Sequence, residues 1–292
     1  MIMNGWVFID KPNGITSFQV VNQIKKALGV KKIGHSGTLD PFATGVLAIA
    51  IGEATKTIEF FNKSKTYEFL VSFGKLKDTD DITGKTIRVS KNIPTKKDIG
   101  RCLINFLSNY EQVPPNYSAV KIDGVRAYKL ARMKKQFSLK AKKVQISNMN
   151  FSETNKNNEF KFIVDCSTGT YIRSIARDLG AMLDTYAYVK ELRRTKIGPI
   201  TEKDIILLDK FLELVHIGDH FEVINSIRKV LDDIPAVLMD NELSRSFQNG
   251  LGFNYFDNAL SINELFFEDK NKLLGIGSVE EGKVKPKKVF NL

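Results

Sequence analysis

The sequence predicts a mixed α+β fold, and three observations predict it. Stretches with a two-residue apolar period are interspersed with stretches of helical period, without the strict alternation of a doubly wound sheet. One central segment has charges that are almost all positive and departs from the composition of a packed core. Near the end, LLGIGSVEEGKVKPKKVF (273–290) reads as two short strands joined by a turn, with a basic edge, within a small β unit.

The 292 residues suffice for one large domain plus a small one, or for two medium domains. With 42% hydrophobic and 26% charged residues, the composition is that of a folded globular protein. The 44 basic residues outnumber the 33 acidic ones, which gives a net charge of +11 and favours a polyanionic partner. The opening NGWVFIDKPNG has neither the charged nor the long apolar region of a leader, so the cytoplasm is the expected location. No apolar run approaches the ~18 residues of a spanning helix, so no membrane association is expected.

The elements follow in order. TSFQVVNQIKKALG (16–29) starts with Thr16 and Gln19 at capping-box spacing, repeats Val21, Ile24 and Leu28 on one face, and stops at Gly29. GHSGTLDPFATGVL (34–47) places Asp40-Pro41 between two glycine-punctuated turns. Aspartate is favoured as an N-cap and proline at the first helical position, so DPFATG reads as one short helical turn. An aspartate so placed is also kept ionised by the helix dipole and nearby cations, as a carboxylate nucleophile requires. VLAIAIG (46–52) is a buried strand, and YEFLVSFG (67–74) puts Tyr67, Phe69, Val71 and Phe73 on one face of another.

TKKDIGRCLINFLS (95–108) predicts a helix capped by Thr95 and Asp98 that buries Ile99, Cys102, Leu103, Phe106 and Leu107. Phe160, Phe162, Val164 and Cys166 alternate as a strand, and Ser167-Thr168-Gly169 turns the chain. Ile172, Ile175, Ala176, Leu179, Met182 and Leu183 then form a helical stripe that leaves Arg173 and Arg177 together on another face.

Between residues 121 and 143 there are nine Lys/Arg against one acid, Asp123, with Tyr117, Tyr128 and Phe137 nearby. A solvated helix face mixes signs, and this segment does not. Cations for phosphates and aromatics for stacking suit a nucleic-acid arm. Cys102 and Cys166 are far apart on apolar faces and read as buried free thiols. His216 and His220 have neither HExxH context nor cysteine partners, so no metal site is expected. With no P-loop and no GxGxxG pattern either, the expected chemistry uses no cofactor.

Several of these stretches together resemble a known family. The 34–47 stretch is similar to the G-H-x-G-T/A-L-D-P-x-A-T-G-x-L signature of the bacterial tRNA pseudouridine-55 synthases, the TruB family. FIDKPNGITS (8–17), KTYEFLVSFGKLKDTDDITG (65–84), QVPPNYSAVKIDGVRAYKLAR (112–132), CSTGTYIRSIARDLG (166–180) and VKELRRTKIG (189–198) resemble further blocks of that family in the same order. The departures are small: Lys77 stands where the family usually has threonine, and residues 233–270 match no block.

The resemblance implies a pseudouridine synthase fold with a mixed, largely antiparallel central sheet and flanking helices. It implies a catalytic domain over 1–232, a basic thumb inserted at about 114–145, and a small C-terminal PUA-like domain over 233–292. It implies isomerisation of a uridine in the T arm of tRNA by a cofactor-free monomer with no obligatory protein partner. Asp40 corresponds to the catalytic carboxylate nucleophile, Arg173 to the cation that keeps it charged, and Tyr67 to the tyrosine that stacks on the target base. His35 corresponds to the residue filling the space of a flipped base, Lys11, Tyr171 and Leu192 to pocket residues, and Lys121 and Arg132 to phosphate contacts. A guide-RNA-dependent pseudouridine synthase and a non-enzymatic tRNA-binding protein stay open as alternatives. A carboxylate placed to face RNA phosphates speaks against the binder.

Overall fold

The structure is a computed structural model that describes residues 3–61, 63–255, 261–270 and 272–292. A ten-stranded sheet forms its centre. Eight strands run in the order Ile206–Leu207, Gly5–Lys11, Thr44–Ile51, Ala187–Ile197, Lys65–Phe73, Glu159–Cys166, Lys142–Glu153 and Ser108–Gln112. Ile33–Ser36 adds to Thr44–Ile51, and Ile200–Thr201 to Ala187–Ile197. Pairing is antiparallel except where Gly5–Lys11 meets Ile206–Leu207 and Thr44–Ile51 meets Ala187–Ile197. The sheet is therefore mixed and largely antiparallel, as expected.

Strand alternation explains the apolar run at 46–52. Val7, Ile9, Leu47 and Ile49 face the helices Ser17–Leu28 and Leu208–Ile217, while Trp6, Phe8, Val46 and Ala48 face the opposite side. Both faces are covered, so no polar position is required. On the far half of the sheet, Phe69, Val71, Phe162 and Val164 pack under Ile172, Ile175 and Leu179 of the helix Ile172–Met182. Phe69 stacks on Phe162 with ring centroids 5.3 Å apart.

The first helix forms as its sequence requires. The Thr16 hydroxyl accepts from Gln19 N–H, the Gln19 side chain accepts from Thr16 N–H, and Gly29 closes the helix with φ 63°. The helix expected over 95–108 is shorter. It spans Lys96–Cys102, passes into a 3-10 turn, and gives way to the strand Ser108–Gln112, which leaves Leu107 at the surface. Met182 is likewise exposed at the end of its helix.

Strands Ser108–Gln112 and Lys142–Glu153 are antiparallel neighbours with Gln112 opposite Lys142, so the basic segment leaves and re-enters the sheet at one point. Between them lie a tiny hairpin, Lys121–Ile122 with Val125–Arg126, and the helix Ala127–Arg132. All nine cations of residues 121–143 are exposed, and none makes an ion pair among the described residues.

A second sheet, ordered Ala236–Leu238, Ile262–Asp269, Lys272–Glu280, Lys283–Val289 and Phe253–Asn254, contains the two strands expected at the C-terminus. Residues 256–260 and 271 of the expected C-terminal unit lie outside the described residues. Phe247 of the helix Asn241–Gln248 covers Phe267 on one face of this sheet, with ring centroids 4.7 Å apart. Phe266, Ile276 and Phe290 on the other face join Trp6, Phe8 and Phe61 in one core. Among the described residues no helix is long and apolar enough to cross a membrane. Both cysteines are buried free thiols.

Candidate active site

The loop at 34–47 is fastened from several sides. The Ser17 hydroxyl donates to the Leu39 carbonyl (3.1 Å) and accepts from Leu39 N–H (2.9 Å), so one buried side chain holds both backbone groups of the residue before Asp40. Gly14 N–H donates to the Pro41 carbonyl at 2.9 Å. Lys11 Nζ donates to the carbonyls of Pro12 (2.8 Å) and Pro41 (3.2 Å). Residues 41–42 form a tight turn closed by Ala43 N–H to the Asp40 carbonyl at 3.1 Å, and the strand Thr44–Ile51 begins at once. The expected helical turn does not form, so Asp40 caps no helix of its own loop. Its charge is set by burial and by the charged side chains around it.

Those side chains are present. Arg173 Nε donates to Asp40 Oδ2 at 2.8 Å and Arg173 Nη2 to Oδ1 at 3.0 Å, a fork matched to a carboxylate. Arg173 is 4% exposed and Asp40 32%, so the cation is sealed while the carboxylate faces an opening. Burial raises the Asp40 carboxyl above its ordinary range, Arg173 and Lys11 oppose that rise, and Asp81 adds to it. Burial also lowers Lys11 to about 8, against the attraction of Asp40.

Arg173 is itself held. Its Nη1 donates to the Thr79 carbonyl, its Nη2 also to the Tyr117 carbonyl, both at 3.1 Å, and Asp81 Oδ2 lies 3.7 Å away. One turn on, Arg177 pairs with Asp178 (2.8 Å) and Asp80 (3.5 Å), so the two arginines do share a face. Burial pushes Asp80 up to about 6. The departure at Lys77 has a structural use. Its Nζ donates to the carbonyls of Ile82 and Gly84 and closes the loop that carries Asp80 and Asp81.

Tyr67 and Leu192 stand on facing strands: Phe69 is opposite Leu192 and Tyr67 opposite Arg194, which places both side chains on one face. They share a core with Leu39 and Phe42 of the Asp40 loop. Burial raises the Tyr67 phenol, and Arg194 opposes that rise. Tyr171 begins the helix that bears Arg173, with its ring 5.2 Å from Lys142 Nζ. His35 lies on the strand Ile33–Ser36 with Nδ1 buried and without a hydrogen-bond partner; burial, aided by Arg194, lowers its pKa and favours neutral imidazole. Lys121 and Arg132 stay outside this cluster on the basic insertion, where Arg132 covers the Tyr128 ring at 5.6 Å.

Comparison with known proteins shows the family. The family model "TruB family pseudouridylate synthase (N terminal domain)" matches residues 25–172, and "tRNA pseudouridylate synthase B C-terminal domain" matches 173–238. The chain is 39% identical to tRNA pseudouridine synthase B of Ehrlichia ruminantium, over 99% of this chain and 100% of that one. This chain belongs to the TruB family of pseudouridylate synthases. The namesake of Bradyrhizobium diazoefficiens is 38% identical over 99% of this chain and 86% of its own. Among solved structures, a chain of a Cbf5-Nop10-Gar1 complex superposes with TM-score 0.74 at 24% identity, covering 98% of this chain and 85% of that one. A chain of an H/ACA RNP bound to a substrate RNA containing 2'-deoxyuridine gives 0.73 at 22%, covering 99% and 85%. These two likenesses concern the TruB-type fold alone.

Sequence reasoning did not single out three residues at this TruB site. Gln112 is fully buried, and its amide donates to the Tyr171 carbonyl (3.0 Å) and accepts from Tyr171 N–H (2.7 Å). It supplies the contact that the uncapped N-terminus of the Arg173 helix otherwise lacks. Asp81 and Arg194 lie inside quoted blocks but were hidden among other charged residues. The available signal for Arg194 was strand alternation, which puts it on the same face as Leu192.

Proposed function

We propose that this chain converts uridine to pseudouridine at position 55 in the T arm of tRNA, acting alone, with Asp40 as the essential nucleophile. The observation that carries this reading is the forked Arg173–Asp40 pair, with the carboxylate partly open on a loop whose Leu39 and Phe42 share a core with Tyr67 and Leu192. The isomerisation breaks the bond from N1 to C1′, turns the freed base within its pocket and joins C5 to C1′. The proton on C5 is then lost and N1 takes one up, so no atom is gained or lost overall. Attack on the sugar, attack on the base and proton removal from the sugar all require an ionised carboxylate in a site closed to bulk water. A sealed guanidinium beneath a partly open carboxylate meets that need.

A uridine in a folded T loop must leave its stack, at a cost of a few kcal/mol. In this reading Tyr67 stacks on the flipped base, Leu192 packs against its other side, and His35 fills the vacated space. Lys11 and Tyr171 shape the pocket. Lys121 and Arg132 bind phosphates from the thumb at about 114–145. Residues 1–232 form the catalytic unit, and 233–292 add a small RNA-binding one.

The test is chemical mapping of pseudouridine in an unmodified tRNA transcript after incubation with the purified protein and with Asp40→Asn. The wild type produces one modified position in the T arm. In Asp40→Asn turnover falls by several orders of magnitude while tRNA affinity changes little. An Asn variant that keeps about a tenth of the turnover removes Asp40 from the mechanism. Tight binding by the wild type with no pseudouridine formed identifies a binding protein instead.

A further inference from the structure

Arg194 is a fully buried arginine with no carboxylate partner among the described residues. Its Nε donates to the Val46 carbonyl at 2.8 Å and its Nη2 to the Gly37 carbonyl at 2.9 Å. Its Nη1 lies 3.5 Å from the Tyr67 hydroxyl, and its guanidinium carbon is 5.9 Å from the centre of that ring. Gly37 and Val46 bracket residues 38–45, the segment that carries Asp40. One side chain therefore joins the two ends of the Asp40 loop and reaches the tyrosine on the facing strand.

The backbone reinforces the junction. Arg194 pairs with Gly45 in parallel register, and a Cβ at Gly45 would lie 2.2 Å from the Arg194 carbonyl oxygen. Gly45 also has φ +97°, which disfavours any side chain there. At Gly37 a Cβ would meet Arg194 Nη1 at 3.2 Å. Both glycines let the loop close tightly on this arginine.

An uncompensated buried guanidinium is costly, and carbonyl hydrogen bonds offset only part of that cost. The groups that feel its charge include Lys11, His35, Lys65, Tyr67 and Cys166. The first three are basic and lose from it; of the two acidic groups, the Cys166 thiol feels only the charge, and the Tyr67 hydroxyl also accepts a hydrogen bond from it.

We propose that Arg194 is a positioning residue of the active site, which fixes the Asp40 loop by both its ends and holds the Tyr67 hydroxyl in place for the reaction. This inference rests on the reading of Asp40 and Tyr67 given above. A guanidinium reaches the three acceptors at once because its donors are fixed in a planar fork. A lysine keeps the charge but not the fork.

The experiment compares Arg194→Lys, Arg194→Gln and Asp40→Asn, each counted by its folded fraction in circular dichroism. In Arg194→Lys, kcat falls about 10²-fold, as misplaced reacting groups demand, while KM for tRNA stays within about twofold. The same exchange costs less in a Tyr67→Phe background, because part of the Arg194 effect runs through the hydroxyl. Arg194→Gln is slower still and recovers part of its turnover with added methylguanidinium. A folded Arg194→Lys with wild-type kcat overturns the proposal, as do full additivity with Tyr67→Phe and a folded Arg194→Gln without rescue. If Asp40→Asn is inactive while Arg194→Lys is unimpaired, only this inference fails. If Asp40→Asn remains active, the reading of the site fails with it.

Discussion

Arg173 holds Asp40 by two hydrogen bonds across 133 residues of sequence, with the guanidinium sealed and the carboxylate partly open. Burial already lifts the Asp40 carboxyl above its ordinary range, and Arg173 is the strongest opposing influence. An acid with a raised pKa loses its charge at a higher pH as the solution is acidified, so activity that needs the anion falls there first. Removing the cation in Arg173→Ala lifts the pKa further. The acidic limb of the kcat/KM profile is expected to move to higher pH. Arg173→Lys restores a charge without the fork and brings the limb back toward wild type while kcat stays low. An unmoved limb in Arg173→Ala assigns Arg173 to RNA positioning.

Gln112 offers a test of how the Arg173 helix is aimed. Gln112→Leu fills similar volume and leaves the N–H and C=O of Tyr171 without their partner. Each buried group left unpaired costs about 1–3 kcal/mol. A lower Tm and a lower kcat are expected together, with tRNA affinity nearly unchanged. Wild-type kcat at an unchanged Tm shows that Tyr171 finds other partners.

The basic insertion provides a quantitative test in salt. Lys134 and Lys135 are exposed and make no ion pair among the described residues. Each phosphate contact releases condensed counterions, so its loss flattens the dependence of binding on salt. Lys134→Ala with Lys135→Ala is expected to weaken tRNA binding and reduce the slope by up to about one unit per lost contact. The rate at saturating tRNA stays near wild type, because such contacts bind ground and transition states alike. Identical slopes for variant and wild type place both lysines in solvent.

The two sheets share a core, which predicts one cooperative unfolding transition. Phe266 of the C-terminal sheet is fully buried with Trp6 and Phe8 of the central one. Phe266→Ala is expected to cost about 3–5 kcal/mol. Calorimetry then shows a single transition lowered by about 2–4 °C per kcal/mol. Two separate transitions, with only one of them lowered, would show that the sheets unfold independently.

The sequence by itself determined the local elements and the family. Thr16, Gln19 and Gly29 fix the ends of the first helix, because caps act through groups three or four residues apart. Alternation from Tyr67 to Phe73 and from Phe160 to Cys166 fixes two strands and their buried faces. The blocks around Asp40, Tyr67 and Arg173 carry the family resemblance and mark these residues as candidates.

Only the tertiary structure decided how those residues are held. The Asp-Pro pair has the chemistry of a helix start, yet the strand Thr44–Ile51 begins two residues after the turn and leaves no room for a helix. Local statistics carry no information about that competing sheet. Alternation puts Arg194 on the face of Leu192, but apolar patterning describes carbon surface, so it gives no reason to bury a charge there and treats Gln112 as one polar residue among others. Both are fully buried because distant backbone groups, the carbonyls of Gly37 and Val46 and the amide and carbonyl of Tyr171, are carried to them by the folded chain. A polar side chain enters a protein interior where partners await it, and its partners are known only once the chain has folded.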